Sequence, residues 1–425
     1  MKRVFLSLVL VQLGLFAFSQ EGMVKQNETP PDNFTIDKLV AATPVKNQAA
    51  TGTCWCFSTT SLLESQCIKK GLGQLDLSEM FTVRNIYIEK ARNYILRQGH
   101  AQFGEGGLGH DLIRAIATYG AVPESEYSGL KNKQKMHNHV DLVVSLQRYL
   151  DSVLKIRPLP LNWIDNYIQI LDLALGTPPA DFMYQGKKYT PKSFATEVLK
   201  FDPNEYVNIT SFTHHPYYAP FIIEVPDNFS NGAYYNLPLE EMLQVTKDAL
   251  KNGYSILWDA DVSNTGFRQK TGIAMNFDSS IKPVIKGNLR QARQDQLKQQ
   301  KKNKIPETVL NQNKDNPKFI DSVENAMRNP LPTTNPVAEA KWDADTRQAL
   351  YENLTTQDDH LMHITGLERA GDGKTYFLVK NSWGDIGPAH GYINVSEGYF
   401  AVNTISLIIP KAGLSKELLA KLGIK

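Results

Sequence analysis

The sequence predicts an α+β protein of two lobes, helix-rich to about residue 253 and strand-rich beyond it. Three observations carry this. The run from Gln48 to Ser58, with Gly52-Thr53-Cys54 at its centre, reads as a loop that delivers a cysteine to the first turn of a helix. Apolar residues three and four apart dominate up to Gly253, after which Tyr254 to Val262 reads as a strand. Near the C-terminus, a strand opening at His360 and another ending at Asn381 flank the turn Ala370-Gly371-Asp372-Gly373.

The 425 residues are enough for two lobes around substantial cores. A formal net charge of +2 gives no global attraction to nucleic acid or acidic membranes. Residues 1–19 have the pattern of a secretory signal: Lys2 and Arg3, an apolar run from Val4 to Phe16, then Ala17-Phe18-Ser19. Export to a periplasm or beyond is expected, with an extension over 20–38, the main domain over 39–425 and no membrane span after signal removal.

Thr53 is a candidate N-cap for the helix from Cys54 to about Lys70, which Gly71 ends. At its start Cys54 meets unpaired N–H groups and the helix dipole, an environment expected to lower a thiol pKa. Gln48 lies six residues upstream, where its side-chain N–H can help hold an oxyanion. Cys56, Thr60, Leu63 and Cys67 share one face, so Cys56 and Cys67 are expected in the core. These two cysteines are about 16 Å apart along a straight helix, too far for a disulfide. A Cys54-x-Cys56 metal or redox site is not expected, because the two side chains point to opposite sides of the helix.

Ser78 is expected to cap a second helix running to about Arg97. After Gly104-Glu105-Gly106-Gly107 a third runs from Asp111 to Tyr119. Residues 130–225 read as helical with irregular links: His137 to Ile156, Leu161 to Leu175, and a short helix opened by Thr190-Pro191. Tyr217-Tyr218 and Tyr234-Tyr235 read as packing residues. His214-His215 is a weak metal candidate, because neighbouring residues seldom face one ion together, and no metal or cofactor is expected. A helix follows Leu237-Pro238 and stops at Gly253. Residues 286–340 read as an insertion, its polar, basic part from Lys286 to Lys304 a solvated stretch without the aromatics of a polyanion strip. Asp343 to Leu354 reads as a helix, as do residues 414–422.

In the hairpin, His360 and Asn381 lie almost equally far from the turn, so the fold brings them together on neighbouring strands. His363, three positions on, faces the other side of the sheet and is expected in the core.

The run Asn47-Gln48…Gly52-x-Cys54-Trp55-x-Phe57-Ser58 resembles the nucleophile segment of papain-like cysteine peptidases, and Asn381-Ser382-Trp383-Gly384 resembles their asparagine motif. The resemblance implies a papain-like two-lobe fold and a Cys54–His360–Asn381 site with Gln48 in the oxyanion hole. It also implies that Gly106 and Gly107 present bare backbone to an extended peptide, and that Trp383 shields the Asn–His hydrogen bond. The Cys-to-His interval of 306 residues is far above the roughly 130–150 of compact members. Tyr234 to Leu250, the Trp258–Val262 strand, His360-x-Met362 and the final helix resemble the bleomycin hydrolase and aminopeptidase C branch. That branch implies aminopeptidase action on peptides, a C-terminal tail lying in the cleft, and a hexameric homo-oligomer. This sequence departs from the branch in stopping at Lys425 soon after its helix, in placing Leu361 where a small residue follows the histidine, and in its signal-like start. The short tail favours an endopeptidase as the alternative. A catalytically silent peptide-binding protein is a third reading, against which Cys54, His360 and Asn381 all stand.

Overall fold

The computed structural model describes residues 34–132, 134–276 and 339–425. The signal-like segment, the extension before Phe34 and the basic stretch 286–304 lie outside the described residues.

The helical layer is built on α1 (Cys54–Lys69), α2 (Glu79–Leu96) and α3 (Gly109–Tyr119), with α4 (Val140–Val153), α5 (Trp163–Leu175) and α6 (Pro191–Glu197) packed around them. Local chemistry sets several ends. Ser78 accepts the Phe81 N–H at the start of α2 and Thr190 accepts the Ser193 N–H at the start of α6, as the sequence predicts. Gly71 follows α1 at φ 74°, a conformation in which a side chain is strained. Thr53 does not cap α1: its hydroxyl meets that of Thr51 at 2.6 Å, and its carbonyl takes the Cys56 and Phe57 N–H groups.

Among the described residues one sheet has eleven strands: β1 (Phe34–Leu39), β4 (Tyr206–Thr210), β5 (Pro220–Ile222), β6 (Ala233–Asn236), β7 (Ile256–Ala260), β8 (Phe267–Arg268), β9 (Ile273–Ala274), β10 (His360–Ala370), β11 (Thr375–Lys380), β12 (Tyr392–Ser396) and β13 (Thr404–Pro410). Their order is β5-β6-β4-β13-β7-β10-β11-β12-β9-β8, with β1 also paired to β10. A separate hairpin pairs β2 (Phe182–Tyr184) with β3 (Lys187–Tyr189). Strands therefore interrupt the stretch 130–225 that reads as helical, and Tyr234 and Tyr235 lie in β6. Three to five residues per strand leave too few positions for a period to show, and the partner of β4 is β13, almost 200 residues away.

Two cores sit on opposite faces of the sheet. Leu257, Leu361 and Ile408 pack with the helices, while Trp258, Met362 and Leu407, their strand neighbours, pack with α7 (Leu239–Lys251). Leu418 of α10 (Lys416–Lys421) and Leu422 belong to the second core, and Lys421 reaches Glu241 of α7 at 3.4 Å. α8 (Ala344–Glu352) and α9 (Glu397–Asn403) pack together, with Arg347 donating to the Ala401 carbonyl. Gly109 lets α3 approach the sheet closely, because a Cβ there would overlap the Leu257 side chain. The three cysteines are buried and free. No described helix is long and apolar enough to cross a membrane.

Candidate active site

Two loops distant in sequence are fastened together. The Gln48 N–H donates to the Ser382 carbonyl (2.8 Å) and the Gly384 N–H to the Lys46 carbonyl (3.1 Å). The Ser382 hydroxyl donates to Gln48 Oε1 at 2.6 Å. Gln48 Nε2 donates one proton to the Thr51 carbonyl at 2.7 Å, and an amide nitrogen carries a second. This ties Gln48 to the loop entering α1, which Glu105 braces from the other side by accepting the Gly52 N–H at 2.7 Å. The first-turn N–H of Cys54 has no intrahelical acceptor by its position.

The hairpin does what its spacing predicts. His360 opens β10, and Asn381 follows β11 directly. His360 Nε2 and Asn381 Oδ1 are 2.7 Å apart, so Nε2 carries the proton and Nδ1 is left for another partner. The Trp383 ring lies over the imidazole, centroids 4.7 Å apart, with Phe267 edge-on to the indole. Asn381 Oδ1 also accepts the Ser382 N–H, and its Nδ2 donates to Gln269 Oε1 at 2.9 Å. Gln269 is a site residue the sequence reading missed; it lies over 100 positions from Asn381 in no recognisable motif. His363 is fully buried on α1, Nδ1 to Ser61 Oγ 2.9 Å, beside Lys380.

Cys54 and His360 are only 7% and 4% exposed. Burial pushes the Cys54 thiol well above its ordinary range, with further upward pressure from Asp358, Asp227 and Asp259; a backbone contact with Leu361 acts the other way. Burial lowers His360 to about 4 despite its bond to Asn381. The expected lowering of the thiol pKa is thus reversed, because desolvation and three acidic groups outweigh the helix start. Both shifts favour the neutral forms of the two groups.

Gly106 and Gly107 follow Glu105, whose carbonyl accepts from the Trp55 indole N–H at 3.0 Å. A Cβ on Gly107 would meet the Trp55 ring at 3.1 Å. A Cβ on Gly106 would overlap the Asp227 carboxylate, and the Gly106 carbonyl accepts from Lys90 Nζ. At Gly106 the bare backbone is therefore already covered in this state, by a side chain that sequence reasoning did not single out.

His214 and His215 depart from expectation. Both Nε2 atoms face Glu224, at 3.5 and 3.3 Å, and the three ligand atoms lie within 4.8 Å of one another. The His215 ring stacks on Phe221, centroids 4.1 Å apart. Gln348 Nε2 donates to His214 Nδ1, however, so His214 Nε2 holds the proton and bonds Glu224 as a donor instead of offering a lone pair to an ion.

With this geometry in view, the comparisons agree. The chain is 23% identical to aminopeptidase C of Listeria monocytogenes over 94% of its own length and 88% of that protein. It is 21% identical to mitochondrial cysteine proteinase 1 of Saccharomyces cerevisiae over 92% of its length and 80% of that protein. Its fold is similar to that of PepW from Lactobacillus rhamnosis HN001, with a TM-score of 0.63 and 19% identity over 92% of this chain and 84% of that one. The family described as Peptidase C1-like matches residues 103–311. The family described as Papain family cysteine protease matches residues 30–144 and 268–407, more than half of the sequence, and the chain belongs to it.

Proposed function

We propose that this protein is an exported cysteine aminopeptidase in which Cys54 is the nucleophile, His360 the acid and base, Asn381 the residue that orients the imidazole, and Gln48 an oxyanion donor. The observation that carries the site is the buried His360–Asn381 bond of 2.7 Å under Trp383. Asn381 holds the Nε2–H tautomer, so Nδ1 is free to take the Cys54 proton. The sulfur attacks the peptide carbonyl, and negative charge develops on its oxygen. The Cys54 N–H and the second proton of Gln48 Nε2 stabilise that charge. His360 protonates the leaving amine and then activates water to hydrolyse the thioester. Acting at the N-terminus is supported by the aminopeptidase name of relatives similar along almost the whole chain. Export is supported by the pattern of residues 1–19.

The test is product analysis by mass spectrometry. Protein lacking residues 1–19, kept reduced, meets matched peptides with free and acetylated N-termini, with Cys54→Ala as control. Single residues released from free N-termini only are expected. Internal cuts in acetylated peptides would replace this reading with an endopeptidase.

A further inference from the structure

Three acidic side chains near the nucleophile form no ion pair among the described residues. Asp259 pairs across the sheet from Leu361, Asp358 stands two residues before His360, and Asp227 lies over Gly106, whose neighbour Gly107 faces the Trp55 ring next to Cys54; all three disfavour a thiolate there. Among the described residues no Lys, Arg or His nitrogen comes within ion-pair distance of any of them. Lys90 is the cation that acts on Asp227, but its ammonium is committed to the Gly104 and Gly106 carbonyls. Buried acidic groups are normally paired or neutralised.

Asp259 is the most exacting case. It is 1% exposed and sits on β7 directly across from Leu361, the residue after His360. Its Oδ2 accepts from Ser406 Oγ at 3.0 Å. Among the described residues its buried Oδ1 has no hydrogen-bond donor. The Asp259 and Asp358 side chains meet each other, and burial and neighbouring acidic groups raise the pKa of both, that of Asp259 to about 7. Asp227 and Asp358 are half-buried. Asp227 accepts from Gln102 at 3.1 Å and lies across Gly106.

We propose that Asp227, Asp259 and Asp358 form the seat for the free α-ammonium group of the peptide substrate, and that Asp227 closes the cleft at Gly106 beyond that first residue. This rests on the aminopeptidase reading and supplies its missing recognition element. Covalent geometry puts the α-nitrogen about 2.5 Å from the carbonyl carbon that Cys54 attacks. A group that recognises the free N-terminus must therefore stand beside the nucleophile, where these carboxylates are. An ammonium offers three N–H donors. A metal ion fits less well: among the described residues the set that converges tightly enough for one is His214, His215 and Glu224, away from this trio. An acetylated N-terminus has no charge to offer and meets Asp227 with added bulk.

The experiment measures kcat/KM for a free and an N-acetylated peptide of the same sequence, using wild type, Asp227→Asn, Asp358→Asn and Asp227→Gly, each lacking residues 1–19. Each Asn variant is expected to lose at least tenfold on the free peptide, mainly through KM, so that its preference for the free over the poorly cleaved acetylated peptide narrows. Asp227→Gly is expected to gain cleavage beyond the first residue. A second readout needs no turnover: alkylation of Cys54 by iodoacetate relative to iodoacetamide should rise in both Asn variants, because anion repulsion falls. Equal losses on both peptides, or unchanged preference with an unchanged reagent ratio, would overturn the proposal while wild-type removal of N-terminal residues leaves the aminopeptidase reading standing. Wild-type protein that ignores the N-terminal charge and cuts internally would overturn both.

Discussion

Replacing Asn381 by alanine tests how the imidazole is held. The wild-type bond is short, 2.7 Å, lies in a site that is 4% exposed at His360, and is roofed by Trp383. In the reaction the imidazole becomes cationic, and a hydrogen bond to a charged group contributes about 1.5–3 kcal/mol. At 1.36 kcal/mol per decade, Asn381→Ala should lower kcat/KM by roughly 10- to 150-fold. Most of the loss should fall on kcat, because the bond is strongest to the charged ring that forms after substrate binds. The substitution also removes the donor to Gln269 and the acceptor for the Ser382 N–H, so some stability is lost as well. Gln269→Ala leaves the His360 bond in place but frees Asn381 to turn; about 3- to 10-fold is expected, from the 0.5–1.5 kcal/mol of a neutral hydrogen bond. In the double variant the second change should add little, since both act through one imidazole. The assay is steady-state cleavage of a free N-terminal peptide, with thermal unfolding to confirm that each variant is folded. Asn381→Ala within twofold of wild type would show that packing under Trp383, not the amide, holds the ring.

Glu368 is fully buried, neither carboxylate oxygen has a hydrogen-bond partner among the described residues, and burial with Asp37 nearby raises its pKa to about 8. Because the folded value is above the unfolded one, the unfolded chain releases this proton first as pH rises from about 4.5 to 8, and stability falls across that window by a few kcal/mol. Glu368→Gln should therefore raise the Tm at pH 8.5 by more than at pH 5, and equal differences at the two pH values in calorimetry would refute the assignment. Gly120 ends α3 at φ 85°, and a Cβ would overlap the Pro191 backbone. Gly120→Ala should cost about 3 kcal/mol or more in denaturant unfolding, where a loss under 1 kcal/mol would mean that α6 yields easily. Ser78→Ala removes the Phe81 cap and the hydroxyl's bond to the Tyr127 carbonyl, so urea unfolding should report a loss of about 1–2 kcal/mol with activity per folded molecule unchanged.

What the sequence shows and what it hides follow one physical line. Cys54, Gln48, His360 and Asn381 are legible because each sits at a point of local chemistry: a loop-to-helix junction, a return loop, the two arms of a hairpin. Ser78 and Gly71 are legible for the same reason. Gln269, Asp227 and Asp259 are not. They reach the site through strand order, since β7 lies between β13 and β10, and through loops crossing from other parts of the chain. Asp358 stands two residues before His360 and was the one carboxylate with a local signal. Thr53 shows the opposite failure: a residue of the right type at the right place, diverted because Thr51 offers its hydroxyl a closer partner. The thiol was misjudged because a helix start is visible in sequence, whereas desolvation is a property of everything packed above it.

The raised thiol and the unpaired carboxylates are two sides of one electrostatic arrangement. Asp358, Asp227 and Asp259 oppose a thiolate at Cys54, and burial opposes an imidazolium at His360. Both effects favour the neutral pair and so a less reactive sulfur. A cation placed among the carboxylates cancels the charge that holds the thiol up, so the ammonium that identifies a correct substrate also eases proton transfer from Cys54 to His360. Neutralising Asp358 by mutation imitates the second effect but removes the first. Asp358→Asn should make the sulfur more reactive toward a small neutral alkylating reagent while making the enzyme worse on free N-terminal peptides. A variant that merely disturbed the fold has no reason to move those two quantities in opposite directions, and this opposition separates recognition through charge from structural support.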